Sequence, residues 1–385
     1  MYQSIVINNF KSIKKAIVTL PAFGAIVGRN AAGKTNLIQA FQFVRDLAVG
    51  KTTTEAQRMI SLIPNELFNF NEGNKEFEID ISVKLKDERQ YSICIKIGLI
   101  NGSIKPSILV VNEEKLYKLL DNNGKEQIYF RDKDSIRNEN NNVIPVAVDN
   151  NKLALAVYKT PETELVREAF AKTIIPDVEK VNNIESIVVG SDELEYKNLA
   201  SIIVNLHHNH QESYDNFQAI IKKLLPHFSS VIEIPSTGSE VSESPDKESY
   251  LVVLEERDLK QKLSMQSVSS GDLKTLFLIA TTLSMENYST LMIEEIENGM
   301  HPKRITDLVD HLETISQIKK MQILFTTHSP VVINRLSPHE IVLTERETDL
   351  GTQYFLLDET EQISKVKKYL QEGGSLTDYL YTAKY

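Results

Sequence analysis

The segment Gly28–Thr35 constrains the fold of this chain more than any other, because it matches the pattern G-x4-G-K-[ST]. The apolar run Phe23–Val27 precedes the segment and predicts a strand bounded by Gly28. Asn36–Val49 follows it with apolar residues at helical spacing. Glycines let backbone N–H groups turn inward around phosphate oxygens, and the following helix presents its positive end. The sequence therefore predicts a phosphate-binding α/β unit near the N-terminus.

Two side chains of this segment have a predicted task. Lys34 can reach the β- and γ-phosphates of a nucleotide, and the Thr35 hydroxyl can bind Mg²⁺. The alternative is a chance match in a glycine-bounded turn, but the predicted strand before the segment and the helix after it are what the mechanism requires. We expect Lys34 to lie in a solvated loop, with its charge satisfied by phosphate.

Two apolar runs further along the chain end in residues that can carry chemistry. Glu294 and Glu295 follow Leu291–Ile293, and two carboxylates at the end of a buried strand can orient a Mg²⁺ shell and polarise an attacking water. An ordinary acidic loop after a strand is the alternative. His328 follows the second run, Gln322–Thr326, although a single histidine at a strand end is more often structural.

The segment Ser269–Asp272 directly precedes a run of apolar residues at helical spacing. Serine and aspartate favour the N-cap position, so a plain helix start explains the segment. A helix N-terminus of this kind is also suited to bind phosphate, and the two interpretations are compatible.

Composition and charge limit the classes of function. Lys and Arg number 43 against 53 Asp and Glu, for a net charge of −10, which argues against a protein that coats nucleic acid but leaves room for a local basic groove. Cys94 is the only cysteine, so an internal disulfide or a cysteine-based metal site is excluded. We expect no signal peptide and no membrane segment, because no apolar run approaches the ~20 residues a membrane helix needs. The chain is predicted to be cytoplasmic.

The rest of the chain yields coarser expectations. A basic turn is expected between the first two strands. The alternation of apolar and polar residues in Glu76–Leu99 predicts an antiparallel hairpin. A polar segment rich in turn formers predicts a mobile loop. The segments concerned are Ser4–Ile7 and Ala16–Leu20 as strands with the turn Lys11–Lys15, Asn138–Asn151 as a loop, Thr163–Leu225 as mostly helical, Pro235–Ser249 as the mobile loop, and Tyr250–Leu254 as the start of a second compact region.

Three histidines, His207, His208 and His210, form a candidate metal cluster. Adjacent residues of a helix point to different sides, so we expect solvated side chains here and not a metal site.

The order of the motifs resembles the ABC-type ATPase heads of the Rad50, RecF and SMC kind. The resemblance is closest to the ATPase part of OLD-family proteins and to the stand-alone AAA-like ATPases of bacterial phage-defence systems. It covers roughly residues 1–50 and 265–345. The matching positions are Asn30 and Asn36 in the phosphate loop, the opening Asn8–Ser12, Ser270-Gly271 as the core of the ABC signature, Ile293–Pro302 as Walker B and D-loop, and Thr327–Pro330 as the switch.

The resemblance implies an α/β fold, an ABC-type P-loop NTPase head with a mixed and antiparallel β lobe and a large α+β insertion. Residues 1–70 would form the half of the head that carries the P-loop. Residues 71–249 would form the insertion, β-rich and then helical. Residues 250–385 would form the other half, with the signature, Walker B and the switch histidine.

The resemblance also implies ATP as the nucleotide and Mg²⁺ as the cofactor. Glu295 would be the general base and His328 the γ-phosphate sensor, both catalytic, while Thr35 and Glu294 would hold the metal. The implied nucleotide-binding residues are Asn30, Gly33, Lys34, Thr35, Asn36, Ser270 and Gly271. ATP is expected over GTP because the guanine-reading motif N-K-x-D is missing.

The sequence departs from the family pattern at several positions. Glu294 stands where most ABC heads have aspartate, and Ile296 replaces the usual proline. The signature lacks its second glycine. Gln57 is too early in the chain to be assigned as the Q-loop glutamine.

In ABC heads the signature of one protomer completes the nucleotide site of another, so we expect a homodimer or higher homo-oligomer that closes on ATP and opens on hydrolysis. OLD proteins carry a TOPRIM nuclease, but the 57 residues after His328 (385 − 328) are fewer than the ~100 of such a domain. We therefore expect a separate effector, a nuclease or toxin, controlled in antiviral defence on a phage or nucleic-acid trigger. The alternative is a RecF/SMC-like repair ATPase that clamps DNA directly. A degenerate nucleotide-binding scaffold is a third option, against which Lys34, Thr35 and Glu295 argue.

Overall fold

The structure is a computed structural model of the chain. It describes residues 1–69, 75–100, 107–121, 124–133, 135–176, 186–188, 198–235, 249–258 and 262–382. The strands are β1 Tyr2–Phe10, β2 Ile13–Thr19, β3 Phe23–Gly28, β4 Glu76–Lys84, β5 Gln90–Ile100, β6 Ile108–Leu119, β7 Lys125–Arg131, β8 Ile136–Asn138, β9 Val143–Ile144, β10 Thr173–Ile174, β11 Ser186–Val188, β12 Phe228–Pro235, β13 Ser249–Glu256, β14 Lys262–Ser264, β15 Thr290–Ile293, β16 Gln322–Thr327, β17 Ile341–Glu347 and β18 Gly351–Leu356. The helices are α1 Lys34–Ala48, α2 Thr53–Ile60, α3 Pro161–Ala171, α4 Leu199–Asn209, α5 Gln211–Leu224, α6 Ser270–Ser284, α7 Pro302–Lys319, α8 Pro330–Ile333, α9 Ile363–Gln371 and α10 Leu376–Thr382.

The chain forms two compact units. The first comprises residues 1–175, 288–292 and 321–385, and the second comprises residues 176–287 and 293–320. The two units are therefore assembled from interleaved stretches of sequence.

A large mixed sheet runs through the first unit. Among the described residues its order is β10-β15-β16-β3-β17-β18-β2-β1-β4-β5-β6-β7-β8-β9. β3 is parallel to both of its neighbours, β16 and β17, and β16 is buried along its whole length. Such continuous apolar runs are typical of parallel strands covered on both faces. From β17 to β9 the neighbouring strands pair antiparallel, which gives the predicted mixed and antiparallel lobe.

The predicted hairpin is confirmed as β4 and β5, and β4 also pairs with β1. Alternate residues of β4 are buried, as the sequence period requires, and Ile81 lies opposite Ile5 of β1. The β-rich start of the expected insertion thus continues the sheet of the N-terminal residues. The division at residues 70 and 249 stays a prediction.

The core of the first unit lies between this sheet and the helices α1 to α3. The Tyr2 ring packs between Phe41 of α1 and Phe170 of α3, with centroid distances of 5.1 and 5.4 Å. The buried amide of Gln322 accepts from the Tyr2 backbone N–H at 2.8 Å and donates to the Tyr2 and Pro21 carbonyls at 2.8 and 3.0 Å. One side chain therefore replaces a stretch of strand pairing at this point.

The second unit combines α4 to α7 with a small antiparallel sheet of β11 to β14. Every residue of α6 from Gly271 to Leu283 is buried, so α6 forms the centre of this unit. The Lys319 ammonium donates to three carbonyls at the end of α6, those of Thr282, Leu283 and Met285, at 2.6 to 3.0 Å. Such a cation satisfies carbonyls that have no partner within the helix.

Several boundaries differ from the expectations. The basic turn is only Lys11-Ser12, because the lysines at 14 and 15 belong to β2 with their side chains outward. The expected loop at 138–151 contains β9, which pairs with β8, and the expected helical region contains the short strands β10 and β11. Residues 236–248 of the expected mobile loop lie outside the described residues. No helix in the described part of the chain is long and apolar enough to span a bilayer.

Candidate functional site

The phosphate loop joins β3 to α1 as the sequence predicted. Gly33 occupies the position before the helix with φ 111°, and Ala31 has φ 62°. Glycine adopts a positive φ at little cost, which explains why position 33 needs a glycine. No side chain caps the start of α1. The first backbone N–H groups of a helix without such a cap are suited to bind an anion.

Lys34 is the first residue of α1 and is only 9% exposed. Its ammonium donates to the carbonyls of Gly28 and Arg29 at 2.8 and 3.1 Å. The expectation of a solvated lysine is wrong, because the side chain folds back over its own loop. The positive charge therefore stays inside the loop, where phosphate oxygens would be recognised.

Two residues of β18 fix the backbone of the loop. Thr352 Oγ1 donates to the Ala32 carbonyl at 3.0 Å, and the Tyr354 hydroxyl donates to the Gly33 carbonyl at 2.8 Å. Burial raises the pKa of Tyr354, so the hydroxyl remains a donor at physiological pH. Each bonded carbonyl fixes a peptide plane and with it the direction of the next N–H. Sequence reasoning missed both residues; the only signal was their i, i+2 spacing on one face of a strand.

The opening stretch Asn8–Ser12 braces α1 from the β1–β2 turn. Ser12 Oγ accepts from Asn36 Nδ2 at 2.6 Å, and the Lys11 ammonium donates to Gln39 Oε1 at 2.5 Å. The Asn36 amide is thus engaged with Ser12, whereas Asn30 is exposed on the loop.

His328 lies at the same edge of the sheet as the phosphate loop. β16 runs parallel to β3, with Thr327 opposite Val27. His328 directly follows Thr327 and Gly28 directly follows Val27, so both lie at the same end of the two strands. The side chain of His328 is exposed. Its position is therefore compatible with the predicted sensing of a bound phosphate.

In the second unit, Glu295 has an unusual backbone. Its φ is 44°, a left-handed conformation that costs a non-glycine residue about 1–2 kcal/mol. Lys274 Nζ donates to its carbonyl at 2.5 Å, and Asn298 Nδ2 donates to its carboxylate at 2.8 Å. The first contact holds the backbone of Glu295 and the second holds its exposed carboxylate. Sequence reasoning identified neither partner. Glu294, which directly follows β15, is half-buried.

The signature segment begins α6. Ser269 is the N-cap, and its hydroxyl accepts from the Asp272 N–H at 3.2 Å, so the predicted helix start is confirmed. A Cβ on Gly271 would lie 2.1 Å from the Gly299 carbonyl oxygen. Only glycine allows this approach. The signature and the segment after Walker B are thus in direct backbone contact.

A charged cluster surrounds Asp272 at the start of α6. Its carboxylate is paired with Arg304 of α7, lies 3.4 Å from His227 Nε2, and accepts from Ser269 Oγ at 2.7 Å. A carboxylate in the first turn stabilises a helix, and the arginine balances its charge. Arg304 and His227 were also missed, because each lies more than 30 residues from Asp272 along the chain.

The structure therefore gathers the predicted residues into two groups. The first unit holds Asn30, Gly33, Lys34, Thr35 and Asn36 on one loop and helix start, with His328 at the same sheet edge. The second unit holds Ser270 and Gly271 beside the segment that carries Glu294 and Glu295. The roles assigned to these residues stay predictions.

His207 and His208 are partly exposed, as expected, but the expectation that they point to different sides is wrong. His207 Nδ1 and His208 Nε2 lie 3.1 and 3.0 Å from the same oxygen of Glu233 in β12. The two rings converge because each uses a different nitrogen. His210 ends α4 and is exposed.

Comparison with known proteins places the chain in a family. Residues 23–334 match the family described as "AAA domain, putative AbiEii toxin, Type IV TA system". The chain belongs to this family. An "ATP/GTP phosphatase" of Helicobacter pylori is 23% identical over 97% of this chain and 96% of the relative. The "Chromosome partition protein Smc" of Synechocystis is 33% identical over 90 residues, which is 23% of this chain and 7% of that protein.

Two solved structures share the fold. An SMC head bound to the C-terminal winged-helix domain of ScpA superposes with a TM-score of 0.56 over 92% of this chain and 96% of that chain. An SMC head from Pyrococcus furiosus with an extended coiled coil, bound to the C-terminal domain of ScpA, gives 0.53 over 96% and 98%. Both are 14% identical to this chain. The predicted fold class is confirmed: the chain has a mixed α/β fold of the P-loop NTPase class, with a large sheet, that resembles the SMC head.

Proposed function

We propose that this chain binds ATP at the loop Gly28–Thr35 and hydrolyses it. The observation that carries the proposal is the Lys34 ammonium, held by two loop carbonyls at the start of a helix that lacks a side-chain cap. Phosphate oxygens can take the place of these carbonyls as partners of the ammonium. The relative named as an ATP/GTP phosphatase supports a nucleotide substrate.

The two side chains assigned to the metal have the chemistry that Mg²⁺ prefers. The Thr35 hydroxyl and the Glu294 carboxylate are hard oxygen donors of the kind Mg²⁺ prefers. When bound, Mg²⁺ would neutralise negative charge on the phosphate oxygens. Asn30 and Asn36 would flank the phosphates, with Asn36 held in place by Ser12.

Glu295 acts in this proposal as the general base for the attacking water. Asn298 holds its carboxylate and Lys274 holds its backbone carbonyl, which favours a defined approach to that water. His328, exposed at the sheet edge beside the loop, senses the γ-phosphate.

The assembly in this proposal is a homodimer or higher homo-oligomer. Ser270 and Gly271 of one copy bind the phosphates held by Lys34 of a second copy, and hydrolysis releases the contact. Close packing of Gly271 on Gly299 supports a rigid signature segment. The SMC heads of similar fold are each bound to a domain of another protein, ScpA, which supports a protein partner here as well.

The biological role we favour is antiviral defence, in which the ATPase responds to a phage or nucleic-acid trigger and controls a separate nuclease or toxin. The family description, which names a toxin–antitoxin system, supports this role. The net charge of −10 weighs against an extended DNA-binding surface. Co-purification with the products of neighbouring genes, with and without ATP, tests it: nucleotide-dependent capture of a nuclease or toxin is expected.

A RecF/SMC-like ATPase that clamps DNA is the second candidate, favoured by the match to Smc over 90 residues. DNA binding measured over a salt series, with and without ATP, separates the two. Tight ATP-dependent binding that weakens steeply with salt would support the clamp. Its absence, together with a captured effector, would support defence.

The nucleotide site is tested by Lys34→Ala. We expect ATP binding to be lost in calorimetric titration, because the charge that meets the phosphates is removed, while the far-ultraviolet circular dichroism stays unchanged. Lys368→Ala, which removes an exposed lysine of α9, is the matched control and should bind ATP as wild type does. Unaltered affinity of the Lys34 variant would show that the loop is not the nucleotide site.

A further inference from the structure

Three side chains of the second unit converge at the end of α4. The rings of His207 and His208 are nearly perpendicular, at 88°, with centroids 5.4 Å apart. Both present a nitrogen to Glu233 Oε2, and the three potential ligand atoms all lie within 4.8 Å of one another. Nitrogen and oxygen donors are thus directed at one small volume between α4 and β12.

Burying the Glu233 carboxylate without a bound cation costs free energy. Its side chain is only 4% exposed, and its Oε1 has no hydrogen-bond partner among the described residues. His207 Nδ1 is also buried, and its 3.1 Å contact with Oε2 does not have hydrogen-bond geometry. Buried carboxylates are normally hydrogen-bonded throughout, paired with a charge, or bound to a metal. These two atoms are therefore suited to bind a cation.

Aromatic rings hold the two imidazoles in place. The Tyr214 ring packs on His207 with centroids 4.4 Å apart, and the Tyr250 ring meets His208 edge-on at 4.9 Å. Tyr214 is itself fixed, because its hydroxyl donates to the Val231 carbonyl at 2.7 Å. Ligands whose orientation is fixed before binding lose little conformational freedom when a metal arrives.

We propose that His207, His208 and Glu233 form a binding site for a divalent transition-metal ion, Zn²⁺ in particular. In tetrahedral zinc sites with ligand bonds of about 2.0–2.1 Å, neighbouring ligand atoms are about 3.3 Å apart. The two nitrogen–oxygen separations of 3.1 and 3.0 Å need to open by only a few tenths of an ångström, and the two nitrogens lie within 4.8 Å of each other. Two imidazoles and one carboxylate suit Zn²⁺, whereas Mg²⁺ and Ca²⁺ prefer sites made of oxygen alone. The C-terminal end of α4 adds a favourable dipole for a cation.

The metal would join α4 to β12 and stabilise the second unit. The histidines are partly exposed, at 42% and 35% of their side chains, so an ion can enter from solvent and a water can complete the coordination. This site uses none of the residues assigned to nucleotide binding. Its existence is independent of the proposed ATPase activity.

Zinc titration of the full chain, stripped with a chelator and kept free of nucleotide, tests the proposal. We expect calorimetry to show one Zn²⁺ bound per chain, a higher midpoint of thermal unfolding with Zn²⁺, and cobalt absorption bands typical of tetrahedral coordination when Co²⁺ is used instead. His208→Asn and Glu233→Gln should each weaken Zn²⁺ binding by at least about tenfold. His210→Asn, which alters the neighbouring exposed histidine, is the matched control and should bind as wild type does.

Each outcome decides the matter. Absence of a bound equivalent in the wild-type chain, or Zn²⁺ binding that neither variant weakens, would overturn the proposal. If Glu233→Gln fails to fold, His208→Asn still decides, because its side chain is partly exposed and its replacement leaves the carboxylate in place. Loss of binding in the His210 variant equal to that in the His208 variant would also count against these three ligands.

Discussion

Replacing Gly33 by alanine tests how the phosphate loop is held. The residue has φ 111°, and an added Cβ would lie 2.6 Å from Thr352 Oγ1 and 2.8 Å from its Cγ2. The backbone conformation costs a non-glycine residue about 1–3 kcal/mol, and the overlap with the threonine adds about 1–3 kcal/mol. We expect Gly33→Ala to lower the free energy of unfolding by about 2–6 kcal/mol in total.

A double-mutant cycle separates the two contributions. Thr352→Ala alone should cost about 1–2 kcal/mol, because the Ala32 carbonyl loses its buried donor. In the double variant the overlap is relieved, so its loss of unfolding free energy should be smaller than the sum of the two single losses by about 1–2 kcal/mol. This difference is well outside the ~0.5 kcal/mol error of additivity. Urea unfolding followed by circular dichroism measures each free energy.

Gly50→Ala is the matched control for this cycle. Gly50 has φ 101°, and an added Cβ would find no atom within 4 Å. It should therefore show the backbone cost alone and no coupling to Thr352→Ala. Additive losses for Gly33→Ala and Thr352→Ala would refute the close packing of β18 against the loop.

Two further variants test the core of each unit. Burial and the charge of Lys223 lower the pKa of His311 from 6.5 to about 4. Between these pH values the unfolded chain binds a proton that the folded chain excludes. The free energy of unfolding therefore falls as the pH is lowered through this range. His311→Leu should remove this part of the acid sensitivity, at most ~3 kcal/mol, in unfolding measured at pH 7 and pH 4.5; an identical pH dependence in both proteins would contradict it. Gln322→Met should destabilise the chain by about 2–4 kcal/mol in urea unfolding, because the Tyr2 and Pro21 backbone groups lose their partners; a loss below ~0.5 kcal/mol would show that the bridge contributes little.

Local periodicity predicted the elements that position the site. The strand before Gly28, the helix after Lys34 and the hairpin of β4 and β5 were all predicted from spacing, because a buried face imposes its period on the sequence. The Ser269 cap could also be predicted from local sequence, because its partner Asp272 lies only three residues away. Predictions of this kind need only neighbours in sequence.

Contacts between distant parts of the chain could not be predicted in this way. Thr352 reaches the loop from 320 residues away, and Glu233 meets His208 from 25 residues away. Neither contact leaves a trace in the spacing around the residues it joins. The prediction of a solvated Lys34 was wrong for a related reason. The motif shows what the lysine binds when phosphate is present, whereas the loop carbonyls are its partners in this structure.

Glu295→Gln tests the central claim of a nucleotide-hydrolysing, ATP-closed assembly most directly. The substitution keeps the size of the side chain but removes the base, which typically costs about 10²–10⁴ in rate. Light scattering with ATP and Mg²⁺ should show the mass of a dimer or larger assembly that persists, and Ser270→Arg in the same background should dissolve it. Glu286→Gln, an exposed carboxylate of the second unit, should hydrolyse ATP as wild type does. Hydrolysis by Glu295→Gln at the wild-type rate, with no change of mass on adding ATP, would contradict the account.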